Sequence, residues 1–217
     1  MSIRILLVDD HKIMRQGLRA LIENEPDLKV VGEAANGREA VGIARTCLPE
    51  VILMDVAMPE LNGVEATRQL RMAIPASRVV ALSIHHDRRF VTHMMRAGAS
   101  GYVLKGCSFE ELVRAVRAVA GGHTYLTPAV AGALAEGYAD ALASRGDLRS
   151  GQLSPREREV LQLLAEGLNT KEAAARLGIQ PKTVAVHRHR IMRKLGVDTA
   201  AEMVRWAIQD GLTSIGT

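Results

Sequence analysis

Apolar positions in the first half of the chain come in short unbroken runs, each followed by a stretch whose apolar residues recur at helical spacing. The runs fall at 3–8, 29–34, 51–54, 79–84 and 102–104. Continuous runs rich in Ile, Leu and Val belong in strands covered on both faces, and a helix after each strand supplies that cover. Five β and five α segments in strict succession therefore predict an α/β unit with a doubly wound parallel sheet over 1–122.

The pattern changes after the helical stretch 108–120. Gly121-Gly122 is followed by an alanine-rich segment opened by Thr127 and Pro128, a cap and first-turn pair that predicts a connecting helix to about Ala143. A polar tether from Ser144 to Gln152 completes a linker over 123–152. Beyond it, 153–217 is punctuated as four short helices. Ser154, Pro155 and Glu157 form the cap, first-turn proline and acid of a capping box, and Gly167 supplies the stop. Asn169 with Glu172 opens the second helix and Gly178 ends it; Pro181 opens the third and Gly196 closes it; Thr199 with Glu202 opens the fourth, which runs to Gly211. The second and third, joined by the turn Leu177-Gly178-Ile179-Gln180, match a helix-turn-helix.

Three acids, Asp9, Asp10 and Asp55, stand where the first and third apolar runs stop. In an open α/β sheet functional residues gather outside the carboxyl ends of the strands, so the three carboxylates are expected in one crevice. Such a cluster repels itself unless a hard divalent cation such as Mg²⁺ sits there. The alternative, aspartates that only initiate turns, stays open for any one of them. Ser83 closes the fourth strand and Lys105 the fifth, which adds a hydroxyl and a cation. Together these are the parts of a phosphoryl-handling site, with Asp55 as nucleophile and Ser83 and Lys105 on phosphoryl oxygens. An aspartyl phosphohydrolase would need a second carboxylate two residues beyond the nucleophile, and Ala57 stands there instead.

Asp9-Asp10, Met54-Asp55-Val56-Ala57-Met58-Pro59, Ser83-Ile84 and Tyr102-Val103-Leu104-Lys105, in this order and spacing, resemble the receiver domain of two-component response regulators. The resemblance implies a flavodoxin-like sheet of order 2-1-3-4-5. It also implies that Asp55 accepts a phosphoryl group from a sensor histidine kinase. Mg²⁺ would be held by Asp10, Asp55 and the backbone carbonyl of Ala57, with Asp9 acting through water. Ser83 and Tyr102 would be the switch pair, and phosphorylation would favour a homodimer.

On the third helix of the second unit, Val184, Ile191 and Leu195 share one stripe at about 100° per residue, while Lys182, Ala185, Val186, His189, Arg190 and Arg193 cover the other side. The first stripe predicts core. The second carries basic residues with no acid among them, together with a small apolar pair, Ala185 and Val186, suited to thymine methyls. A merely solvated charged face is the competing reading. From Leu153-Ser154-Pro155-Arg156-Glu157 through Thr183-Val184-Ala185-Val186-His187 to Lys194-Leu195-Gly196-Val197, this unit resembles the LuxR-type DNA-binding domain. With the first unit it makes a NarL/FixJ-type response regulator. The resemblance implies base contacts from Ala185, Val186 and His189, and phosphate contacts from Lys182, Thr183, Arg190 and Lys194. Ala185 replaces a frequent lysine, which makes base readout more apolar, and Gln180 replaces a frequent serine cap, which costs about 1 kcal/mol at that helix start; DNA binding is expected to stand, with the cognate sequence left open.

Composition narrows the setting. Lys and Arg exceed Asp and Glu by 28 to 24, a net charge of +4 whose placement matters more than its size. Cys47 and Cys107 give neither a disulfide framework nor zinc spacing. No run approaches bilayer length and no leader precedes the first strand, so a cytoplasmic protein without membrane contact is expected. The expected partners are the kinase, double-stranded DNA, RNA polymerase and a second copy. The resemblance implies dimer contacts from receiver helices, the last of which carries Leu112, Val113 and Val116 at a spacing that rather predicts core, and the carboxy-terminal helix with Met203 and Trp206 offers a second contact. An RNA-binding or protein-interaction output is the alternative reading of the second half.

Overall fold

The computed structural model describes residues 2–84, 88–132 and 153–213. The first unit runs β1 (Ile3–Val8), α1 (Lys12–Ile22), β2 (Leu28–Ala34), α2 (Gly37–Cys47), β3 (Val51–Asp55), α3 (Gly63–Ala73), β4 (Arg78–Ser83), α4 (Arg88–Ala97), β5 (Gly101–Leu104), α5 (Phe109–Ala120) and β6 (Tyr125–Leu126). All strands are parallel, in the order β2-β1-β3-β4-β5-β6.

Successive residues of a strand face opposite sides of the sheet, and both sides are covered. Leu6, Val8, Ile52 and Met54 pack on one side with Ala40, Ala66 and Met94 from α2, α3 and α4. Ile5, Leu7, Val51 and Leu53 pack on the other with Ile22 of α1 and Leu112, Val116 and Val119 of α5. Two-sided burial is why these strands read as unbroken apolar runs. Leu112, Val113 and Val116 of α5 are core, as their helical spacing predicts, and are not free to make a dimer contact.

The sheet extends past residue 122. Tyr125–Leu126 adds β6 beside β5, and Val130, in a helical turn over 128–132, is fully buried against the first unit's core. A two-residue strand carries no periodic signal and forms only because the edge of β5 is there to pair with. Thr127 precedes the helical turn, but its buried Oγ1 makes no hydrogen bond, so it does not act as a side-chain cap. The rest of the expected connecting helix and the tether Ser144 to Gln152 lie outside the described residues.

The second unit consists of α6 (Pro155–Ala165), α7 (Thr170–Leu177), α8 (Pro181–Leu195) and α9 (Ala200–Gln209). Capping boxes form at Ser154/Glu157, Asn169/Glu172 and Thr199/Glu202, whereas Gln180 before α8 makes no side-chain cap. Gly178 ends α7 with φ +63, the left-handed conformation that lets the chain turn sharply into α8. Val160, Leu163, Ala174, Val184, Ile191, Leu195 and Met203 form the core, with Trp206 packed against it. Met203, expected as a dimer contact, is thus buried within its own unit. Among the described residues no helix is long and apolar enough to cross a membrane.

The two units dock through polar side chains. Gln162 of α6, 1% exposed, accepts from the backbone N–H and side chain of Asn62 at 3.1 and 3.0 Å, and its amide donates to the carbonyl of Met58 at 3.0 Å. Asn62 also donates to the carbonyl of Leu212 at 3.0 Å. Arg158 pairs with Glu65 at 2.9 Å, and Gln69 donates to Glu159 at 3.0 Å. Glu60 pairs with Arg176, and Arg89 donates to the carbonyl of Gln209 at 2.8 Å.

Candidate functional site

Strand register brings the predicted acids together. Val8 pairs with Met54, Asp55 with Leu82, and Ser83 with Leu104, so the residues at and just beyond these strand ends share one rim. The loop after β3 is folded tightly back, with the Gly63 N–H donating to the carbonyl of Val56 at 2.9 Å. A Cβ on Gly63 would lie 2.1 Å from the Asp55 carbonyl oxygen, so only glycine permits this approach of α3 to the strand end.

Asp9 and Asp55 are almost fully buried, and Lys105 Nζ lies between them, 2.7 Å from Asp9 Oδ2 and 2.8 Å from Asp55 Oδ2. The other oxygen of Asp55 accepts from the Ala57 N–H at 3.3 Å. Burial pushes the Asp55 carboxyl up from 3.8 to about 6, against the opposing pull of Lys105. Burial works against the charge on Lys105, but its hydrogen bonds and attraction to Asp55 and Asp9 prevail and raise its pKa.

Ligand atoms of Asp9, Asp10, His11 and Asp55 all lie within 4.8 Å of one another. Asp9 Oδ2 is buried and met by Lys105 alone, and Asp10 Oδ1 is buried with no hydrogen bond, although the His11 ring stands 2.9 Å from it. Hard, partly unsatisfied carboxylate oxygens of this kind fit a small divalent cation such as Mg²⁺. His11 was not anticipated as part of the cluster. Its N–H donates to Asp9 Oδ1 at 2.8 Å, and its Nδ1 lies 2.9 Å from Asp10 Oδ1. Arg15 also escaped sequence reasoning; it donates to the Asp9 carbonyl at 2.6 Å and fixes the β1 exit.

Ser83 is buried at the end of β4, and the Lys105 N–H donates to its carbonyl at 2.8 Å, which ties the hydroxyl-bearing and cationic strand ends together. Tyr102 is fully buried in the core on the α3–α4 side, so its ring is turned inward. Ala57 lines a cleft together with Asp10.

The face of α8 opposite its buried stripe is open. Lys182, Ala185, Val186, His189, Arg190 and Arg193 are exposed, with Val186 at 49%, and the last five of these line one shallow surface depression. Thr183 is half-buried. Lys194 is occupied: its Nζ lies 2.6 Å from Glu157 Oε2, the acid of the first capping box. His187 is half-buried with an unpartnered Nδ1, so it does not share the exposed face of His189.

Residues 5–117 match the response regulator receiver domain, and residues 151–207 match the bacterial regulatory proteins of the luxR family. The chain is 39% identical over 213 residues to the transcriptional regulatory protein MctR of Rhizobium johnstonii, spanning 98% of this chain and 96% of that protein. It is 41% identical over 203 residues to the transcriptional regulatory protein UhpA of Escherichia coli strain K12, spanning 94% and 96%. Among solved structures, a LuxR-family two-component response regulator from Aurantimonas sp. SI85-9A1 superposes with TM-score 0.61 at 40% identity, over 64% of this chain and 99% of that one. The response regulator ChrA of a heme-sensing two-component system superposes with TM-score 0.54 at 35% identity, over 97% and 98%.

Proposed function

The chain belongs to the two-component response regulators with a luxR-family DNA-binding output that regulate transcription, and from that premise we propose that Asp55 is the phosphoacceptor which controls the output. The observation that carries this reading is the buried Asp9–Lys105–Asp55 bridge with Asp10 beside it. Lys105 holds the Asp55 carboxylate in place and neutralises part of the charge that would repel a phosphoryl donor. Asp10, Asp55 and the Ala57 carbonyl would hold Mg²⁺, with Asp9 acting through water. When bound, the ion offsets the charge of the transferring group. Ser83 and Lys105 receive the phosphoryl oxygens. Ser83 then shifts its hydroxyl contact, and Tyr102 repacks with it.

On the output side, the exposed face of α8 enters the major groove. Ala185, Val186 and His189 meet base edges; Lys182, Thr183, Arg190 and Arg193 meet phosphates or the groove wall. Lys194 reaches a phosphate only by giving up Glu157, so its share is smaller. Two phosphorylated copies reading paired half-sites account for control of the promoter, with a sensor histidine kinase upstream and RNA polymerase downstream, in the cytoplasm.

Labelling with a small phosphodonor tests the acceptor. Wild type should incorporate phosphate in Mg²⁺ and lose it in chelator, and Asp55→Asn should incorporate none. Full labelling of Asp55→Asn would refute the assignment.

A further inference from the structure

The cleft beside Asp10 of the acid cluster is not built by the receiver alone. It holds about 220 Å³, and its lining runs from Asp10 and Ala57 past Phe90 to Glu166, Gly211 and Thr213 of the output domain. The seam that sets this wall is close-packed. Gly211 lies against the Phe90 ring so tightly that a Cβ there would meet the ring at 2.8 Å, and Gln162, buried beneath, bonds both Asn62 and Met58.

Glu166 is out of place on local grounds. It caps the carboxyl end of α6, where the helix dipole disfavours an acid. It is half-buried, and burial followed by the neighbouring charge of Glu60 pushes its carboxyl up, against hydrogen bonds from Gln162 at 2.7 Å and the Glu60 N–H at 3.4 Å. Glu60 itself sits in the left-handed region at φ +67. Helix stability does not favour an acid here; Gln162, the Glu60 N–H and the charge of Arg176 hold it, on the wall of a cleft whose lining also includes Asp10 and Ala57.

We propose that Glu166 is a specificity-determining residue for phosphoryl transfer, repelling small anionic phosphodonors from Asp55 while the two domains are docked. The inference rests on Asp55 being the phosphoacceptor. In the reaction with acetyl phosphate, an Asp55 carboxylate oxygen forms the new bond to phosphorus as the acyl phosphate P–O bond breaks, and acetate leaves with the electron pair. A small donor fits the cleft and meets the Glu166 charge on the way in. A protein donor is too large for a space of about 220 Å³ and meets Asp55 only after the seam opens, so Glu166 penalises the small donor selectively.

The test uses the full chain with Mg²⁺ and compares wild type with Glu166→Gln, which keeps the size and one of the two acceptor oxygens but removes the charge. Labelling by acetyl phosphate should rise about fivefold at low ionic strength, labelling by the less highly charged phosphoramidate should rise about twofold, and both gains should shrink to nearly nothing in 1 M salt. Unchanged rates would overturn the proposal. So would an equal rise for both donors that survives high salt, because that marks a loosened seam rather than a removed charge. Failure of wild type to label at Asp55 with either donor would overturn the phosphoacceptor reading, and this inference with it.

Discussion

Replacing Asp55 by Asn should stabilise the receiver at neutral pH although it destroys the acceptor. Asp55 is 3% exposed, and its carboxyl is shifted from 3.8 to about 6, so in the metal-free protein ionising it opposes folding. A carboxyl that holds its proton more tightly when folded lowers stability as pH rises from about 4 to about 6, and the loss is constant above that range. At about 1.4 kcal/mol per tenfold change in proton affinity, the shift corresponds to about 3 kcal/mol at pH 7.5. Asn carries no charge, and its amide oxygen can still accept from Lys105, whose second partner, Asp9 at 2.7 Å, is untouched. The variant should therefore exceed wild type by about 2–3 kcal/mol at pH 7.5 and by less than about 1 kcal/mol at pH 4. Urea unfolding of both proteins in chelator, at steps from pH 4 to 8, measures the difference. Far-UV circular dichroism follows both domains, and the single tryptophan, Trp206, reports the output domain alone, which isolates the receiver transition. A difference independent of pH, or a variant less stable than wild type at pH 7.5, would refute the account of Asp55 as a carboxylate strained by burial.

Other expectations concern metal, seam and DNA. Mg²⁺ at a hundred times its dissociation constant should stabilise the wild-type receiver by about 2.7 kcal/mol and Asp10→Asn by far less, read as a shift in the thermal midpoint. Gln162→Leu removes four hydrogen bonds, three of them across the seam, and leaves Asn62 and Met58 groups unsatisfied. It should weaken docking by about 2–4 kcal/mol, seen as faster amide exchange at Asn62 and a larger radius of gyration, with the fold of each domain intact. Lys182→Ala should weaken cognate and scrambled duplexes alike and lower the salt slope by about one, whereas His189→Ala should narrow the ratio between them. Lys194→Ala should change DNA affinity less than Lys182→Ala and instead destabilise the output domain through Glu157, which denaturation with and without DNA separates.

Much of this protein was legible along the chain because the signals are local. The apolar runs 3–8 and 51–54 reported two-sided burial directly, and capping residues such as Ser154 with Glu157 act within one turn, so their positions fixed helix starts. The acid cluster was legible for a related reason. Once the sheet is parallel, strand ends lie on one rim, and Asp9, Asp10, Asp55 and Lys105 had to meet there. The two faces of α8 followed from helical projection, as the burial of Val184, Ile191 and Leu195 shows.

Only the tertiary structure decided contacts whose partners lie far apart in the chain and belong to no repeating pattern. β6 exists because β5 offers a free edge. Lys194, basic among basic residues, is taken up by an acid 37 positions away. Gln162 and Asn62 are polar and look like surface residues in sequence, yet they are 2% exposed or less because each satisfies the other across 100 positions. Period and capping describe how an element meets water and its own backbone; they hold no term for a polar side chain buried against one specific partner. For that reason the sequence determined the two folds and the chemistry at the strand ends, whereas the docking of one domain on the other, and the placing of Glu166 on one cleft with Asp10 and Ala57, required the packed molecule.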